Sequence, residues 1–163
     1  GLVTFFHLRC ALQRRALSLA NEVVGITGLT LGAPAAVYAA GGGLDSRAWG
    51  LWAVNALYFL GPIFHVKLAA LGHRAAADPA AAAHLPGRRR LSLAYHSAAA
   101  LAGAVLAGFA VVPVLAGAAL LPPLLKAAVL AGSPPAKIDF RRLGYREVGH
   151  AAIFFLLVAA AYR

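Results

Sequence analysis

The groups able to do chemistry in this chain are Glu22, His65, Lys67, Tyr95, His96, Lys126, Arg142, Arg146, Glu147 and His150, all within or at the ends of long apolar runs. An ionisable side chain at membrane depth is costly and usually faces other helices or water, so these positions form a candidate ligand-binding layer. Two ligand classes suit it. His65, His96 and His150, with Glu22 or Glu147, are the imidazoles and carboxylates that hold Zn or Fe. No HxxxH or CxxC spacing ties any two of them together, which makes metal the lesser reading, and no cofactor is implied. Lys67, Lys126, Arg142 and Arg146 with Tyr95 can instead hold a phosphate or lipid headgroup through charge-assisted hydrogen bonds. Glu147 and His150, three residues apart, make one isolated acid/base pair. A purely structural reading competes: lysines snorkel to the interface, interfacial histidines stay neutral, and Glu22 pairs with a basic residue.

The chain that must position these groups has 163 residues, 61% of them apolar, and a mean hydropathy of +0.76. No charge interrupts Val23 to Leu44, Ala48 to Val66 or Leu91 to Leu125. Roughly 20 apolar residues cross a bilayer as a helix, so these runs predict a polytopic membrane protein. Fifteen Lys and Arg against five Asp and Glu give a formal charge of +10. In a soluble protein that excess would suggest nucleic acid. Here the cations fall in short connections between apolar runs, where membrane orientation and anionic headgroups account for them, and no nucleic acid is expected. The lone Cys10 allows no intrachain disulfide. The absence of methionine and the hydrophobic start at Gly1 suggest a fragment whose first helix lies upstream.

In order, Gly1 to Leu8 reads as the last turns of a helix, followed by a basic connection holding Arg9, Arg14 and Arg15. Ala16 to Ala40 is a span with a Gly28/Gly32 packing pair, ended by Gly41-Gly42-Gly43. Ala48 to Leu68 returns, with Trp49 and Trp52 at the outer interface and Asn55, Tyr58, Pro62 and His65 on one helical face. Residues 69–90 read as a flexible basic loop closed by Arg88-Arg89-Arg90. Leu91 to Val112 is a span whose many Ala and Gly residues place it near the bundle centre. Val114 to Ala131 follows, broken at Pro122-Pro123, where exposed backbone needs protein or water around it. Residues 132–146 form the last basic loop. Gly149 to Tyr162 is too short to cross unless its helix begins near Arg142.

Arg9, Arg14, Arg15, Lys67, Arg74, Arg88, Arg89, Arg90, Lys126, Lys137, Arg141, Arg142 and Arg146 all fall on one side of this topology, leaving only Arg47 and Arg163 on the other. The positive-inside rule makes the crowded side cytoplasmic.

Two stretches carry a family resemblance. Tyr58-Phe59-Leu60-Gly61-Pro62-Ile63-Phe64-His65-Val66-Lys67, and Arg142-Leu143-Gly144-Tyr145-Arg146-Glu147-Val148 before the last helix, resemble the YwiC-like family of bacterial multi-pass membrane proteins. That likeness implies a bacterial cytoplasmic-membrane protein and supplies no catalytic residue, because the family's function is uncharacterised. The family's usual Arg-Glu-His-Gly-Ala-Trp-like opening is absent here. The helical plan is also similar to that of UbiA-type prenyltransferases, whose Asp-rich motifs hold Mg²⁺ against a diphosphate. This chain has only Asp45, Asp78 and Asp139, far apart and in loops.

The sequence therefore predicts an all-α polytopic transmembrane helix bundle: one transmembrane domain over 1–163, about five spans plus a truncated N-terminal helix. The leading functional expectation is a non-enzymatic binder or carrier of an anionic amphiphile at the cytoplasmic side. An intramembrane enzyme on a lipid-linked substrate and a structural partner of another membrane protein are the alternatives. A closed, well-packed basic layer would favour the structural partner, and an open cavity reaching Pro122-Pro123 the binder or enzyme.

Overall fold

The structure, a computed structural model, describes Phe5, Arg9 and residues 18–163. The expected N-terminal helix end, Cys10 and the Arg14-Arg15 connection lie outside the described residues. Eight helices and no strand occur among those described: α1 Leu19–Thr30, α2 Gly32–Ala39, α3 Ser46–Ala75, α4 Pro79–Ala83, α5 Leu85–Gly108, α6 Val114–Ala118, α7 Leu121–Gly132 and α8 Phe140–Ala161. They supply five stretches long and apolar enough to cross a membrane: Leu19–Ala39, Ser46–Ala75, Leu85–Gly108, Val114–Gly132 and Phe140–Ala161. The chain is thus an all-helical, multi-pass membrane protein. It clusters into two compact units, Gly1–Ile63 and Phe64–Arg163. The boundary, between Ile63 and Phe64, falls just after Pro62, a proline inside α3.

In the first unit, Ser18 caps α1 by accepting from Asn21 N–H at 3.3 Å. The first span is two helices rather than one: Pro34 cannot donate back to the Thr30 carbonyl, so α1 stops and α2 restarts around Leu31. Thr30 Oγ1 donates to the Ile26 and Thr27 carbonyls at 2.9 and 3.0 Å. Asp45 starts α3, its Oδ1 accepting from Ala48 N–H at 2.9 Å. Trp52 Nε1 donates to the Thr27 carbonyl at 3.4 Å, joining α3 to α1.

The second unit is built on α5, which packs against both α6 and α7, while α6 packs against α8. Only one stripe of α5 is buried: Ser92, His96, Ala99 and Gly103, spaced four, three and four. Leu101, Val105 and Phe109 stay exposed as a lipid-facing side. Half of the apolar window of α3 is buried, against 22% for α5. Gly103 and Gly117 let α5 and α6 touch backbone to backbone, since a Cβ on Gly117 would lie 2.6 Å from the Gly103 carbonyl oxygen. Ala110 turns the chain between them at φ +54°. The span from Val114 is interrupted before Pro122-Pro123, which occupy the first turn of α7, where a missing N–H costs no helical bond. Ala119 and Leu120 at the break are 1% and 2% exposed, so protein encloses this irregular backbone.

Both expected basic loops are shorter than the sequence suggested. Residues 69–90 are mostly helical, with α3 running to Ala75, α4 capped by Asp78 and α5 already begun at Leu85, so Arg88, Arg89 and Arg90 lie on the first turns of α5. Alanine-rich sequence extends a helix readily, and Pro79 and Pro86 fit first-turn positions instead of breaking one. In 132–146 the helix begins at Phe140, as the length of the last run required, and Asp139 caps it by accepting from the N–H groups of Arg141 and Arg142 at 2.9 and 3.1 Å. All three aspartates of the chain are thus helix N-caps.

Candidate functional site

Within the second unit, the C-terminal half of α3, α7, the 133–139 connection and the start of α8 border an open cavity of about 660 Å³. Each helix contributes one stripe: His65 and Ala69 from α3; Pro122, Leu125, Lys126, Val129 and Leu130 from α7; Arg142, Leu143, Arg146 and His150 from α8. Ser133, Pro135, Lys137, Ile138 and Asp139 complete the wall. The connection is held against α3 by His73 Nδ1, 2.9 Å from the Ala136 carbonyl, and by Gly72, where a Cβ would lie 2.7 Å from Pro134 Cβ. The wall combines aliphatic side chains with four cations and one carboxylate, Asp139, whose Oδ2 is 3.5 Å from Arg142 Nε on an exposed surface. Neither Lys137 nor Arg146 has an ion-pair partner among the described residues.

Behind this wall lies a partly buried ionic contact. Lys126 Nζ donates to Glu147 Oε2 at 2.7 Å, with side-chain exposures of 13% and 18%. His65 Nε2 is 3.5 Å from Glu147 Oε1, near enough for electrostatic contact but long for a hydrogen bond. Lys126 and His65 border the cavity and Glu147 does not. Both Glu147 Oε1 and His65 Nδ1 are buried without a hydrogen-bond partner among the described residues. Next to this group, His96 is 2% exposed and its Nδ1 donates to the Ser92 carbonyl at 2.8 Å. Tyr95 stacks on Phe64 with ring centroids 4.3 Å apart and sets its edge against His96.

Of the ten residues singled out in the sequence, five line the cavity: His65, Lys126, Arg142, Arg146 and His150. Glu147 sits directly behind them. Tyr95, His96 and Lys67 belong to neighbouring surfaces of their helices and do not line it. Glu22 lies in the first unit, in the first turn of α1, where a carboxylate complements the helix N-terminus. Among the described residues no group of three His, Cys, Asp or Glu can hold a metal ion. His65, His96 and His150, the three imidazoles singled out in the sequence, do not come together as such a group among the described residues. Glu147 is engaged by Lys126, while His150 borders the cavity.

Sequence reading missed Lys137, Ile138 and the aliphatic stripe of α7. The stripe was signalled by apolar residues flanking Lys126 at helical spacing; the connection carried no such signal, because its position depends on His73 and Gly72, more than sixty residues away.

No family model, curated protein or solved structure matches the chain in comparisons with known proteins.

Proposed function

We propose that the second unit binds an anionic amphiphile, a lipid or lipid-like molecule whose headgroup lies among Lys126, Lys137, Arg142 and Arg146 and whose tail follows the aliphatic stripe of α7. The observation that carries this reading is the cavity itself: its volume of about 660 Å³ is within the usual range for small-molecule sites, and apolar and cationic groups divide its wall. It reaches Pro122, which favours a ligand-holding role over a purely packed structural one. Guanidinium and ammonium groups together suit a phosphate-type oxyanion.

In this reading the chain is a YwiC-like protein of the bacterial cytoplasmic membrane, and the basic ends of its helices face the cytoplasm. The crowding of cations at one side supports that orientation, and the same crowding attracts anionic headgroups to the cavity mouth. The direct test is binding of phosphatidylglycerol to the purified chain in maltoside micelles, with phosphatidylcholine as control. Arg142→Gln with Arg146→Gln should weaken binding about tenfold or more, each lost contact being worth roughly 1 kcal/mol. His65→Ala should weaken it and His96→Ala, away from the cavity, should not. Equal binding of the two lipids, or indifference to both arginines, refutes the proposal.

A further inference from the structure

We infer that the cavity recognises a terminal phosphate, so that its ligand is a lipid phosphomonoester rather than a phosphodiester lipid. The inference rests on the anionic-amphiphile reading of the same site and names the class of amphiphile. Its basis is the balance of charge and hydrogen-bonding groups around the cavity. Of the four cations in the wall, Lys126 already donates to Glu147 Oε2 at 2.7 Å, and Arg142 Nε lies 3.5 Å from Asp139 Oδ2. Lys137 and Arg146 have no ion-pair partner among the described residues. With Glu147 counted behind the wall, two positive charges remain unmatched. A phosphodiester carries one negative charge and leaves one of them over. A phosphomonoester carries close to two above its second pKa of about 6.

The hydrogen-bonding groups point the same way. Lysine and arginine side chains bring donors and no acceptor. Asp139, the one carboxylate of the wall, is engaged: Oδ1 accepts from the N–H groups of Arg141 and Arg142, and Oδ2 faces Arg142. A hydroxylated headgroup beyond the phosphate would find no free carboxylate to accept from it. A terminal phosphate needs only donors for its three oxygens. Arg142 and Arg146 stand one turn apart on α8, Lys137 comes from the connection and Lys126 from α7, so such a group is met from three segments.

The tail has a separate way out. Leu125 and Val129 line the cavity yet are 69% and 68% exposed, and their spacing of four puts them on one face of α7, within a membrane-spanning stretch. The cavity is therefore open sideways along α7, toward hydrocarbon. A ligand slides in from the bilayer with its phosphate among the cations, and its chains stay beside α7. Selection then falls on the phosphate and not on the number of chains.

The test is native mass spectrometry of the full chain in maltoside micelles at about pH 8, above that second pKa. The lipids titrated are dioleoyl phosphatidic acid, its single-chain lyso form, phosphatidylglycerol and phosphatidylcholine. Phosphatidic acid should bind about tenfold tighter than phosphatidylglycerol, the effect of one more charge facing two cations at solvent-screened strength, and the lyso form within about threefold of phosphatidic acid. Lys137→Gln with Arg146→Gln removes two exposed side chains and should reduce the preference to about twofold or less. Equal binding of phosphatidic acid and phosphatidylglycerol, both above phosphatidylcholine, overturns the phosphomonoester and leaves the amphiphile reading intact. A preference that survives the double variant, or a lyso form bound no tighter than phosphatidylcholine, also overturns it. Phosphatidylcholine binding as well as both anionic lipids overturns both readings. Inorganic phosphate displacing phosphatidic acid at equal concentration would support recognition of the terminal phosphate and remove the tail from the ligand.

Discussion

Replacing Lys126 by methionine isolates the value of the partly buried ionic contact. At an N–O separation of 2.7 Å, the attraction between Lys126 and Glu147 is about 6 kcal/mol at an effective dielectric of about 20. Desolvation of both partners offsets most of it, so the pair contributes little net stability compared with an apolar replacement. Removing one partner is different, and the structure makes the two removals unequal. Without Glu147, the Lys126 ammonium still borders the cavity and can turn toward water. Without Lys126, Glu147 is left with Oε1 out of solvent and without a hydrogen-bond partner among the described residues, although its side chain is 18% exposed. Lys126→Met should therefore cost about 3 kcal/mol, Glu147→Leu about 1 kcal/mol, and the double variant about 1 kcal/mol or less. The assay is unfolding of the detergent-solubilised chain by dodecyl sulfate, followed by loss of helicity, with the coupling read from the double-mutant cycle. Additive effects, or a larger cost for Glu147→Leu than for Lys126→Met, would refute the arrangement of cation in front and carboxylate behind.

Three further outcomes follow from the packing and caps. Gly117→Val should cost about 2–3 kcal/mol in the same assay, because its first added carbon would lie 2.6 Å from the Gly103 carbonyl oxygen. Asp139→Ala should lose about 1 kcal/mol as the α8 cap disappears, and Asp139→Asn should retain most of it. Ala110→Gly should stabilise by about 0.5–1 kcal/mol, the relief of a left-handed alanine at φ +54° exceeding the added freedom of the unfolded chain.

Most of the fold was legible because the bilayer restricts the solutions. Uninterrupted apolar runs of sufficient length predicted five crossings, and five suitable helical stretches are found among the described residues. Pro122-Pro123 was readable as a break because adjacent prolines fit a helix only in its first turn, whereas the Thr30/Gly32 break required weighing one isolated proline at position 34. The helical content of 69–90 was hidden by Pro79 and Pro86, which look like breakers until their first-turn positions are known. For the site, composition and position identified Lys126, Glu147 and His65 as groups at unusual depth. Their grouping depends on which faces of α3, α7 and α8 meet, and a single sequence carries no such pairing. The same limit explains why Glu22 stood beside them in the sequence reading although it belongs to the other unit.

The central claim is that the cationic, apolar-walled cavity retains an anionic amphiphile, and native mass spectrometry of the chain purified from membranes tests it most directly. The account predicts an adduct of one anionic lipid on the wild type, reduced at least about tenfold by Lys137→Gln, Arg142→Gln and Arg146→Gln combined, with no matching loss of zwitterionic lipid. Retention of anionic and zwitterionic lipids in the same proportion by both proteins would contradict it.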